Sequence, residues 1–192
     1  MQEQCGGASA KSRRMRRLSR IILLVAVVAI AVAVRPAAAV RAAGSLPLAV
    51  GAAAPPLSEP TARGPFDSAS SAKPYLVEFF AVWCPHCQRE VPVMNRLEDA
   101  DGGQVDIIAV PASPFGFDQA SMLQPADLQT FAQRFDAHYR IGFDGYFSAV
   151  YDYGVAAYPT FYVVGADRRV AAVESGEVPF DKLHAEVRAT LK

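Results

Sequence analysis

Val77-Glu78-Phe79-Phe80-Ala81-Val82-Trp83-Cys84-Pro85-His86-Cys87 is the stretch on which the reading of this chain turns. With Tyr75 and Leu76 before it, the first half is a near-continuous apolar run, the pattern of a strand buried on both faces. Cys-x-x-Cys follows, and the next residues predict a helix from about Cys84 to Leu97. Val91, Met94 and Leu97 lie along one side of it, and Pro92 kinks it. A cysteine at the head of a helix meets unpaired backbone N–H groups and the positive end of the helix dipole, which favour a thiolate. The second sulfur lies about one turn further on, near enough to close a small, reversible disulfide. Pro85 suits the first helical turn, where its missing N–H costs little. His86 can add positive charge or a hydrogen bond near Cys84, and a pair tuned this way is easily reduced and tends to oxidise other proteins.

Other uses of two cysteines at this spacing fit less well. A structural disulfide usually joins distant segments, and closing a loop this short adds little entropy. Zinc needs two further ligands, whereas the only other cysteine is Cys5, and His138 and His184 stand alone; no metal site is expected. Covalent haem attachment needs His directly after the second cysteine, where Gln88 stands. Redox chemistry without a bound cofactor is the reading that fits the strand–helix context.

Further along, Val105–Val110 predicts a second buried strand. Leu128, Phe131, Ala132 and Phe135 mark an amphipathic helix over Ala126–His138. Phe147, Val150 and Tyr151 repeat that spacing. Thr160–Val164 and Arg169–Glu174 read as strands around a Gly165-Ala-Asp-Arg turn, and Phe180, Leu183, Val187 and Leu191 mark a last helix. The order implies an α/β fold, a central mixed sheet with helices on both faces. Tyr146, Phe147, Tyr151 and Tyr153 read as core, His138 and His184 as solvated or capping, Arg168-Arg169 as a surface pair at a turn, and Trp83 as packing beside the cysteines.

The 192 residues suit one well-cored domain, and 52% hydrophobic with 20% charged residues excludes a disordered chain. A net charge of zero hides two unlike ends: residues 1–43 carry +7 and residues 44–192 carry −7. An acidic domain argues against nucleic acid as a partner. In the basic leader, five arginines between Arg13 and Arg20 precede the 14-residue apolar run Ile21–Val34, then Arg35, Pro36 and Ala37-Ala38-Ala39. This is the pattern of an export signal, to be cleaved, or kept as an anchor if Arg35 snorkels to the interface. Ser12-Arg13-Arg14 is a weak twin-arginine signal, and Met15 is an alternative start that would remove Cys5. Residues 44–65, rich in Ala and Pro, read mostly as a linker with room for a short edge strand, ahead of a domain over 66–192.

The stretch Val77–Cys87, followed by Pro92, resembles the active-site strand and helix of the thioredoxin-like superfamily. Ala156-Ala157-Tyr158-Pro159-Thr160-Phe161 resembles that family's cis-proline loop, and Gly176 matches a further glycine. The resemblance covers roughly Phe66 to Lys192. It implies that Cys84 is the exposed attacking thiol, Cys87 the resolving thiol, Pro159 cis, and Glu78 a buried acid that relays protons to Cys87. Trp83, Pro85 and Tyr158 would face the substrate. The Pro85-His86 dipeptide is that of DsbA-like oxidants. The insert from about Pro111 to Gly145 is similar to exported, membrane-tethered reductants of cytochrome c maturation. Dipeptide and architecture thus imply opposite directions of electron flow. The implied function is an exported, periplasmic or membrane-anchored thiol–disulfide oxidoreductase. Its partners would be cysteine-containing proteins and a redox protein that resets the pair. A copper-binding module using Cys84, His86 and Cys87, and a peroxidase, are the readings from other classes.

Overall fold

The computed structural model describes residues 47–143 and 145–192. The leader over 1–43, the start at Met15 and Cys5 lie outside the described residues. Among the described residues no helix is long and apolar enough to cross a membrane.

The elements run β1 (Ser58–Glu59), β2 (Phe66–Asp67), β3 (Tyr75–Phe80), α1 (Pro85–Asp101), β4 (Asp106–Pro111), α2 (Pro125–Phe135), β5 (Arg140–Ile141), α3 (Ser148–Tyr153), β6 (Thr160–Val164), β7 (Val170–Ser175) and α4 (Phe180–Ala189). Five strands form the main sheet in the order β5-β4-β3-β6-β7. β4 is parallel to β3 and β5, while β6 is antiparallel to β3 and β7. The mixed sheet expected from the sequence is therefore present, with the cysteine-bearing strand at its centre.

All six residues of β3 are buried, and their alternation assigns them to two cores. Leu76 and Phe80 join Val91, Met94 and Leu97 of α1, Phe131 of α2, and Leu183 and Val187 of α4. Tyr75, Val77 and Phe79 join Ile108, Val110, Tyr153 and Tyr162 on the other side, closed by Leu57 and Phe66. Helix α1 continues through Pro92 to Asp101, four residues past its expected end. Buried Asp101 lies 3.1 Å from His184 and 3.2 Å from Arg188, which joins α1 to α4. His184 thus faces the Asp101 carboxyl and stacks on Phe180. His138 similarly lies 3.1 Å from Asp99.

Residues 47–65 depart from the linker reading. Gly51 N–H donates to Val170 O at the β7 edge, Leu57 and Glu59 are buried, and Thr61 bridges Gly142 beside β5. The segment is a strap crossing one face of the sheet from edge to edge, so the packed domain begins well before Phe66. At Gly142 a Cβ would meet Glu59 Cβ at 2.8 Å, so only glycine admits this approach. Arg168 is also no free surface residue. At φ +62 it turns its guanidinium back to the carbonyls of Ser71 and Lys73, and Arg169 donates to Gly51 O. Among the aromatics, Tyr153 is core, but Tyr146 and Tyr151 are exposed at 92% and 66%. α3 has only six residues, and Tyr151 and Tyr153, two apart, cannot share a face.

Candidate active site

Strand β3 ends at Phe80, and a short turn delivers Cys84 as the N-cap of α1 (φ −77°, ψ 119°), with Pro85 opening the helix. No side chain caps this end, so the first-turn N–H groups stand beside the cysteine. Gln88 steadies the turn by donating to Val82 O at 2.9 Å. Both cysteines are free thiols. The resemblance implied an exposed Cys84, yet the residue is only 5% accessible, against 1% for Cys87. It is the more open of the two by a small margin.

The loop before β6 covers it. The Tyr158–Pro159 bond is cis, and Cys84 Sγ lies 4.0 Å from the Tyr158 carbonyl oxygen. Gly176, at φ +80, donates its N–H to Pro159 O and holds this loop to the end of β7. Trp83 and Tyr158 meet edge to face at 6.0 Å; the indole donates to Ser113 Oγ and the phenol to Ala112 O. Trp83 and Cys84 are thus brought against Tyr158, with Ala112 and Ser113 after β4 holding both rings.

Beneath the thiols lie carboxyls. Glu78 is buried on the α1 side of central β3, between Leu76 and Phe80. Its Oε1 has no hydrogen-bond partner. Burial holds its carboxyl well above the usual range, with the charges of Glu90 and Cys84 adding to the effect. Burial, then Glu78, likewise pushes the Cys87 thiol up. Glu90 is a residue the sequence reading passed over. It is 3% exposed, accepts the Val178 N–H at 2.9 Å, and leaves its second oxygen unpartnered. Burial raises it to about 7, against the pull of the Val178 amide. Its spacing was the available signal: three residues after Cys87, it falls on the buried side of α1 with Val91 and Met94.

His86 is not aimed into this apolar ground. It sits in an exposed cluster with Arg89 and Glu177, described below. Among the described residues no group of three or more His, Cys, Asp or Glu side chains is arranged to hold a metal ion.

Known proteins share this fold. The chain is 30% identical over 116 residues to the thioredoxin-like protein YneN of Bacillus subtilis, covering 59% of this chain and 64% of that protein. It is 34% identical over 101 residues to the thiol:disulfide interchange protein CycY of Rhizobium leguminosarum, covering 53% and 49%. The chain thus spans about half to two thirds of the length of these relatives. A thioredoxin-family thiol:disulfide interchange protein from Chlorobium tepidum superposes with a TM-score of 0.60 at 24% identity, over 76% of this chain and 99% of that one. A secreted disulfide oxidoreductase of Mycobacterium tuberculosis, homologous to DsbE, does so at 0.57 and 22%, over 69% and 95%. These likenesses establish a thioredoxin-like fold. The Redoxin family model matches residues 49–189, the strap included, and the chain belongs to the Redoxin family.

Proposed function

We propose that the protein is a thiol–disulfide oxidoreductase acting on cysteines of other proteins. The observation that carries this is the pair of free thiols at the head of α1, one beneath the cis-proline loop and the other against a buried carboxyl. In the reducing direction, Cys84 thiolate attacks one sulfur of a substrate disulfide and joins it, releasing the other sulfur as a thiolate. Cys87 gives its proton to ionised Glu78 and attacks Cys84 Sγ. The mixed disulfide breaks, the second substrate sulfur leaves and takes up a proton, and a Cys84–Cys87 disulfide remains. Two electrons have passed to the substrate. Matching raised proton affinities suit Glu78 and Cys87 to exchange that proton. Trp83, Pro85 and Tyr158 form the rim on which an extended substrate segment lies.

The carboxyls favour the reducing direction. Burial, and then Glu78, disfavours the Cys87 thiolate, and thiols that resist ionisation give their electrons up more readily. This supports the reading as a reductant of protein disulfides, of the kind used in cytochrome c maturation, over that of a disulfide donor. The leader pattern supports action outside the cytoplasm, with a redox partner that resets the pair. Cys84→Ser should abolish disulfide exchange, whereas Cys87→Ser should accumulate mixed disulfides visible on non-reducing gels. Full activity in Cys84→Ser sinks the mechanism.

A further inference from the structure

His86 lies between the two cysteines in sequence, where its charge is expected to favour thiolate and make the pair oxidising. The structure surrounds it with a second charge. Glu177, which follows Gly176 after β7, places one oxygen, Oε1, 2.6 Å from His86 Nδ1, 2.6 Å from Arg89 Nη2 and 3.0 Å from Arg89 Nε. Arg89 Nη2 is also 2.8 Å from His86 Nδ1. Nδ1 cannot donate to the carboxylate and accept from the guanidinium at once. The shorter contact assigns its proton toward Glu177, with Arg89 donating to the same oxygen. All three side chains are substantially exposed, and Arg89 also feels the charge of Cys84. Arg89 and then His86 hold the Glu177 carboxyl down to about 2, so it is ionised at neutral pH.

We propose that Glu177 is a positioning residue that sets the balance of the Cys84/Cys87 pair, by drawing His86 and Arg89 into a closed ion cluster and so withdrawing their positive charge from the thiolate. This rests on the reading of Cys84/Cys87 as a redox pair. It makes the Cys-Pro-His-Cys motif less oxidising in this chain than the dipeptide alone implies. The two basic side chains stand one helical turn apart on α1, and the carboxylate arrives from a segment 91 residues beyond His86. The pair's poise therefore depends on the fold as well as on the motif.

The test is an equilibrium with glutathione, in which the Cys84–Cys87 disulfide and two glutathione thiols exchange for the dithiol and one glutathione disulfide. Glu177→Gln keeps the shape and removes the charge. We expect the equilibrium to move toward the dithiol about threefold, roughly 15 mV at ~30 mV per tenfold. In a His86→Ala/Arg89→Ala background the same substitution should leave the equilibrium where it was. All three positions are exposed, so the variants should fold, and circular dichroism checks that they do. If Glu177→Gln matches the wild type, the inference fails while the redox reading stands. An equal shift in the background without His86 and Arg89 also overturns it, since Glu177 would then act directly. If the wild type forms no Cys84–Cys87 disulfide in any glutathione ratio, both fall together.

Discussion

At the scale of single residues, the site concentrates acids where acids are expensive. Glu90 keeps its proton up to about pH 7 in the fold but only to about 4.5 when unfolded. A carboxyl raised by folding lends its full stability below the unfolded value and loses it as pH rises through the folded one. The domain should therefore lose stability between pH 4.5 and 8, read by urea denaturation. Glu90→Gln keeps an oxygen for Val178 N–H and removes the charge, so it should flatten that slope and stabilise the domain at pH 8 by on the order of 1–2 kcal/mol. A slope unchanged in Glu90→Gln would show that Glu90 is not its source. Glu78, pushed the same way, contributes with the same sign. The legibility of these residues followed their distance from the motif. Glu78 was readable because an acid inside an apolar strand has few explanations. Glu90 was readable only by helical spacing. Glu177 carried no local signal, because its partners lie on α1, 88 and 91 residues earlier.

At the scale of elements, the strands β3, β4 and β6 and the helices α1, α2 and α4 announce themselves by apolar period, and the structure has each of them within a few residues of its expected bounds. The strap does not. Its Ala- and Pro-rich composition reads as linker, and its docking rests on a few isolated side chains such as Leu57, set among exposed neighbours. β5 escapes notice for a related reason: two residues cannot show a period. It is fixed instead by Asp106 on β4, which accepts from Arg140 at 2.8 Å and from Ser71 Oγ at 2.7 Å. Leu57 gives the strap its test. Truncating a fully buried leucine costs ~2–4 kcal/mol, and Leu57→Ala should lower urea stability by about that amount. A loss below about 0.5 kcal/mol, the usual size for a surface change, would mean the strap is a passenger. A smaller effect is expected at Tyr75, whose hydroxyl meets that of Tyr153 at 2.6 Å while Tyr153 donates to Pro55 O at 3.0 Å. Tyr75→Phe removes one buried hydrogen bond and should cost about 1 kcal/mol.

At the scale of the whole molecule, redox poise and folding are linked, because the fold binds the disulfide and dithiol forms of the pair unequally. A domain that works as a reductant is more stable with the disulfide closed, since the fold must favour the form that has given up its electrons. The urea midpoint should thus be higher without reductant than with it. The opposite order would assign the protein to disulfide donation and overturn the direction proposed above.

The strap has a mechanical consequence. A pull on the chain at Pro47 is borne first by the Leu48 N–H on the Tyr162 hydroxyl, then by Gly51, which donates to Val170 O and accepts from Arg169, and then by the bridge between Ala53 and Arg169. Such bonds, loaded one at a time, give way in sequence as a zip does, and tension reaches β3 only after Leu57 and the β1–β2 pair have come free. Residues 47–67 would act as a fuse, shielding the geometry of the thiols from any strain applied along the leader.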